Sequence, residues 1–174
     1  MRRHTVARRV VVLGVAVLIL AGGSAAYAAP PERAPFTPDP TVLGPGQACD
    51  FNVEIAQEGN YTQTTFADGR FTITGSGRDT VTNLDADLSL TLRTSGKITI
   101  TELVNGDQRL QASGRTVFYF FEGDQGPLGP VGEDGALYHI VGHVDETLDP
   151  DTGFTVTSFE WSGRATELCS LISP

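Results

Sequence analysis

Between Asp50 and Leu168 the dominant spacing of apolar residues is two. Phe51, Val53 and Ile55 alternate with Asn52, Glu54 and Ala56, and Phe71 and Ile73 alternate with Thr72 and Thr74. Leu88, Leu90 and Leu92 alternate with Ser89, Thr91 and Arg93, while Ile98 and Ile100 alternate with Thr99 and Thr101. Successive side chains of an extended chain point to opposite faces, so each set lays an apolar row on one face and threonine or charge on the other. Beyond the N-terminal segment no stretch carries apolar residues at i, i+3 and i+4 through three turns. The pattern predicts an all-β protein.

Turn residues punctuate the pattern. Ala67-Asp68-Gly69-Arg70 separates Thr62–Phe66 from Phe71–Thr74, and Ser95-Gly96 separates the Leu88 strand from the Ile98 strand. Asn105-Gly106 is the pair that a type I′ turn prefers, because both positions need φ > 0. Asp149-Pro150-Asp151-Thr152-Gly153 divides Leu137–Asp145 from Phe154–Leu168. About eight to ten short strands with local turns predict an antiparallel meander closed into a small barrel, with a β-sandwich as the alternative. The apolar parity shifts between Val156 and Phe159–Trp161, which predicts a β-bulge or bend in the last strand.

The first 28 residues follow another rule. Arg2, Arg3, Arg8 and Arg9 precede an unbroken apolar run, Val10–Ala21, and Ala26-Tyr27-Ala28 places small residues at a cut before Ala29. A basic start, a short apolar stretch and an A-x-A site are the layout of a secretory signal. The run is shorter than the ~20 residues that span a bilayer, so cleavage near Ala28 and release outside the membrane or into the cell envelope are expected, leaving no integral membrane segment. Residues 29–47 hold six of the ten prolines and read as an extended tether, with one domain from residue 48 to 174.

Cleavage changes the charge. The chain has 12 Lys+Arg and 21 Asp+Glu; the signal removes four bases and no acids, leaving eight against 21, about −13. Such a surface repels nucleic acid and anionic lipid, and neither is an expected partner. The two cysteines, Cys49 and Cys169, form an even pair in an oxidising compartment and read as a disulfide joining the start of the domain to its end.

Chemistry is harder to find. His139 and His143 lie on a strand, where four positions separate the imidazoles by about 13 Å, too far for one metal ion; both read as solvent-facing on the side that carries Asp145. No G-x-S-x-G elbow occurs, and the disulfide leaves no thiol nucleophile. Asp145, Glu146, Asp149 and Asp151 form the densest acidic cluster. Calcium would suit them, yet the EF-hand spacing is missing and a type I turn explains Asp-Pro-Asp-Thr-Gly without metal. No cofactor, metal or catalytic residue is therefore assigned. Glycines 123, 126, 129, 132 and 135 repeat at intervals of three, too briefly for a collagen helix, and predict a flexible 122–135 loop, a place to look for binding. Val117-Phe118-Tyr119-Phe120-Phe121 sets aromatics on both faces of one strand; one row is expected in the core with the Gly/Pro loop folded over the other. Asn60-Tyr61-Thr62 is a formal glycosylation sequon.

Thr82-Asn83-Leu84-Asp85 leading into Leu88–Leu92, the Asp149–Gly153 turn, and the closing Ser162-Gly163-Arg164…Leu168-Cys169-Ser170-Leu171-Ile172 resemble a group of small secreted proteins from high-GC Gram-positive bacteria. Glu167 stands where the similar proteins often have aspartate. The resemblance spans about Cys49 to Ile172 and implies an all-β domain with a Cys49–Cys169 bridge; it brings no catalytic residues. The sequence thus favours a secreted, non-catalytic module for a small ligand, a glycan or a protein. The alternatives are a small hydrolase or isomerase using His139 or His143, and a structural or oligomeric envelope protein.

Overall fold

The computed structural model describes residues 30–152 and 155–174, so the signal segment 1–28 lies outside it. The alternation resolves into β1 Glu32–Phe36, β2 Thr41–Leu43, β3 Val53–Thr65, β4 Phe71–Asn83, β5 Leu88–Glu102, β6 Gln108–Phe120, β7 Gln125–Gly126, β8 Gly129–Pro130, β9 Ala136–Asp149 and β10 Thr155–Glu167. Eight of these form one antiparallel sheet in the order β1-β3-β4-β5-β6-β9-β10, with β2 also on the outer edge of β3; β7 and β8 make a separate hairpin. The all-β meander is as expected. The closed barrel is not, because among the described residues β10 pairs with β9 alone and β1 with β3 alone.

The strand count falls within the expected range, but the main strands are longer than the turn residues predict. Ser95-Gly96 is no turn: β5 runs unbroken through it for 15 residues. Gly96 is instead one of a line of glycines crossing the sheet, with Gly75↔Gly96, Gly96↔Gly114, Gly114↔Gly142 and Gly142↔Gly163 as register partners. Gly96 and Gly142 have φ of 152° and 153°, and a Cβ on either would run into the carbonyl oxygen of Ser113 or Ser162 on the next strand. Only glycine allows strands to bend this sharply while staying paired.

The consequence is a crease along which the sheet folds on itself. Leu110 at one end of β6 is opposite Glu146, which is opposite Phe159 of β10. In a straight strand Phe120 would lie about 33 Å from Leu110. Yet the Phe120 and Phe159 rings meet edge to face with centroids 5.2 Å apart. Apolar faces are therefore covered by layers folding together rather than by strand closure, which is why no barrel forms. Two cores result. The first gathers Val53, Ile55, Val81, Leu137, Leu168 and Ile172, with Leu90, Leu92 and Val117 against them. The second gathers Phe120, Tyr138, Ile140 and Val144 with Phe118, Phe159 and Trp161. Val117 lies against one and Phe118 against the other. The Phe118–Phe120 row fills the second core with the Gly/Pro hairpin over it, whereas Tyr119 on the opposite row stays exposed, so the loop does not fold over the second aromatic row as expected.

Residues 29–47 are not a free tether. Glu32–Phe36 and Thr41–Leu43 pair with β3, covering an edge whose backbone groups would otherwise be open. Pro35 is tolerated because β1 is itself an edge strand. The 122–135 loop is also ordered. Asp124, 2% exposed, accepts hydrogen bonds from the Phe121 and Val156 amides, and its carbonyl accepts one from Val131. These bonds clamp the β7–β8 hairpin over Phe120 and Tyr138, so it is a cover and not a flexible binding loop. Asn105 does not adopt positive φ; Gly106 alone does, at 92°, and Leu103 N–H bonds to Asp107 O around a five-residue connection. The predicted bulge is present between Val156 and Ser158.

Cys49 and Cys169 form the disulfide, with Cα atoms 5.7 Å apart. Around it the closing segment seals the first core. Glu167 accepts hydrogen bonds from the Cys169 and Ser170 amides, so the longer acid caps this turn effectively. Buried Asn83 donates to Ile172 O and accepts from the Asp85 and Ala86 amides, tying the turn after β4 to the C-terminus.

Candidate functional site

The crease divides the fates of the two histidines. His143, past Gly142, is exposed as expected and lines a groove of about 560 Å³. His139 is not solvent-facing: its half of β9 is covered on both sides, and its Nε2 is buried with no hydrogen-bond partner among the described residues. Burial holds its pKa below the usual imidazole value, aided by Arg115 and Arg164 and opposed by the Arg93 backbone and Asp79.

Next to His139 is a polar network that sequence reading missed. Asp79, fully buried, accepts 3.1 Å and 3.0 Å hydrogen bonds from Gln57 Nε2 and Thr94 Oγ1, and the Tyr61 hydroxyl lies 3.2 Å from Thr94 Oγ1. Burial raises the Asp79 pKa; the bonds from Gln57 and Thr94 and the nearby His139 counter it. The Asp79, Gly77 and Gly75 alternation let Tyr61 pack across a glycine floor, where a Cβ on Gly75 or Gly77 would strike its ring or hydroxyl. The group brings a hydroxyl, a carboxylate and an imidazole together. Thr94 nevertheless donates directly to the carboxylate, and Thr94 and Asp79 are 6% and 0% exposed. A nucleophile must be bonded to its base and reachable by substrate. This network fails the second condition, because both groups are closed off from solvent, and it serves as a buried polar brace.

The outer face of the crease is different. A second groove, about 480 Å³, is lined by Arg78, Arg93 and Arg115 with Ser76, Ser95 and Asn60. Arg78 is directly opposite Arg93 across β4 and β5. Arg115 of β6 shares a row with Val141 of β9 and Arg164 of β10. All four guanidinium side chains belong to exposed residues. Among the described residues the ion pairs within 4.0 Å are Arg70–Asp68 and Arg109–Asp145, and neither involves this set. Glu58 is opposite Arg78 across β3 and β4, at the rim of the groove. The two grooves adjoin along the crease, Ser95 and Arg115 in one being followed by Lys97 and Ser113 in the other.

The acidic cluster is dispersed by the fold. Asp145 is drawn into a bidentate pair with Arg109 and a bond from Gln111, which hold its pKa low, whereas Glu146 is buried in the second core. Asp149 caps the Asp151 amide at the start of the turn, and Gly153 lies outside the described residues. No group of three metal-ligating side chains occurs among the described residues, and no helix there is long and apolar enough to cross a membrane. No protein-family model, curated protein or solved structure matches the chain.

Proposed function

We propose that this protein is an exported, non-catalytic binding domain that takes an anionic ligand in the groove along the glycine crease. Arg78, Arg93 and Arg115 are its charged contacts. The observation that carries this reading is the concentration of unmatched arginines. Four of the eight basic residues after the signal, Arg78, Arg93, Arg115 and Arg164, lie near one another across neighbouring strands, although acids outnumber bases by 21 to eight in the chain after residue 28. Like charges directly opposite on neighbouring strands are destabilising, and Glu58, the acid opposite Arg78, makes no ion pair within 4.0 Å with the set among the described residues. A bound carboxylate or phosphate would neutralise them, and the planar guanidinium fork matches both. Export rests on the layout of residues 1–28, with which the disulfide is compatible.

The reading is tested by titrating the purified protein with citrate and with inorganic phosphate at low salt, following heat or the melting temperature. Saturable binding is expected, weakened at least about tenfold in an Arg78→Ala/Arg93→Ala double variant, since the loss of even one charge-assisted contact is worth roughly that factor. No binding, or equal binding by the double variant, would overturn it.

A further inference from the structure

We infer that the physiological ligand is a linear anionic polysaccharide laid across the strands along the crease; this rests on the anion-binding reading above. Arg164 lies apart from the groove that the other three arginines line, so the basic set extends beyond what a single small anion would occupy. Arg78 and Arg93 are register partners, Arg93 and Arg115 are diagonal across β5 and β6, and Arg164 lies two strands beyond Arg115 with Val141 between. With strands ~4.8 Å apart, the four steps from β4 to β10 spread the backbone positions of the arginines over roughly 19 Å of sheet. That spread suits several charges in sequence on one extended chain.

Between and beside the charges the walls carry small neutral donors and acceptors. Ser76, Ser95 and Asn60 lie on one side and Ser113 and Ser162 on the other, with Trp161 contributing to the same wall. Sugar hydroxyls need such partners, whereas a simple polyphosphate does not. The rims are acidic, with Glu58 at one groove and Asp145 and Glu160 at the other. A slender chain with intermittent charge can lie between those rims. A double helix, with a phosphate on both flanks every few ångströms, would meet them and the overall negative charge.

The test compares polygalacturonate and a linear phosphorylated glucan with their charged monomers, with neutral dextran and with duplex DNA, using the purified protein at 50 mM salt. At least one anionic polymer is expected to bind ten times or more tightly than its monomer, and to weaken about tenfold at 300 mM salt because exposed charges are screened. Whether the carboxylated or the phosphorylated polymer binds better identifies the charged group. Arg164→Ala is expected to lower polymer affinity about fivefold and leave citrate binding unchanged, since it lies outside the Arg78–Arg93–Arg115 groove. Monomers binding as well as polymers, an unaffected Arg164→Ala, or DNA binding as tightly as the glycan would overturn the inference while leaving the anion site standing. Loss of citrate and polymer binding alike would remove both.

Discussion

Glu146 and Asp124 place two carboxyl groups against the second core, and they answer to different environments. Asp124 binds the Phe121 and Val156 amides. Glu146 is 6% exposed, and burial first, then the charge of Asp124, push its pKa up to about 7. In the unfolded chain its pKa returns to 4.5. Between those values the unfolded state releases a proton that the folded state keeps, so stability falls as pH rises through that window and the penalty is complete above it. A rise of this size corresponds to about 3 kcal/mol at most. Glu146→Gln is therefore expected to leave stability unchanged at pH 4 and raise it by up to about 3 kcal/mol at pH 8, read from urea unfolding at the two pH values. Equal effects at both would show that Glu146 does not titrate in this window. The sequence exposes Glu146 only as part of an acidic run. Its burial follows from where β9 passes behind the hairpin, and no local pattern encodes that. Arg78, Arg93, Arg115 and Arg164 were equally hidden, since their positions share no spacing and acquire a common surface only through strand register.

The period-two alternation reports strand formation faithfully, but a glycine within a strand reads like a glycine at its end. Gly69 and Gly106 do mark turns, with φ of 84° and 92° and open space around them. Gly96 does not, and what distinguishes it is a neighbour, Ser113 O, from another strand. Gly142→Ala forces a Cβ onto Ser162 O at φ 153°, so it is expected to cost at least ~3 kcal/mol or abolish soluble folding. Gly132→Ala has no heavy atom within 4 Å of the added carbon and should be nearly neutral, which makes it the control in a denaturant series. Equal loss in both would mean that the crease does not depend on glycine. The bulge near Val156 was legible because it shifts apolar parity within one strand. The β7–β8 cover was not, because its order comes from Asp124 reaching the amide of Val156 on a strand 32 positions away.

On the scale of the whole molecule the bridge from Cys49 to Cys169 encloses nearly the entire sheet, with a sequence separation of 120. In the chain-entropy account a loop of that length stabilises by about 4–5 kcal/mol. Reduction, or a Cys49→Ser/Cys169→Ser variant, is expected to lower stability by that amount and the melting temperature by roughly 10 °C, measured by calorimetry with and without reductant. An unchanged melting temperature would show that the Asn83–Ile172 tie and the Leu168 packing hold the closing segment unaided. The same scale corrects the inference from charge. A net charge of −9 for the chain describes an average, and the average conceals a local basic stripe. Sequence by itself determined most of the long strands, several of their turns and the bulge, because alternation and turn chemistry act between residues near one another in the chain; it did not show the short strands β1, β2, β7 and β8. Composition also pointed to the disulfide, through two cysteines and an export layout. Tertiary structure alone decided that the sheet creases instead of closing, that His139 turns inward while His143 stays out, and that three distant arginines line one groove with Arg164 farther along the same row as Arg115. Those outcomes depend on which backbone lies beside which glycine, a relation between strands that one-dimensional spacing does not contain.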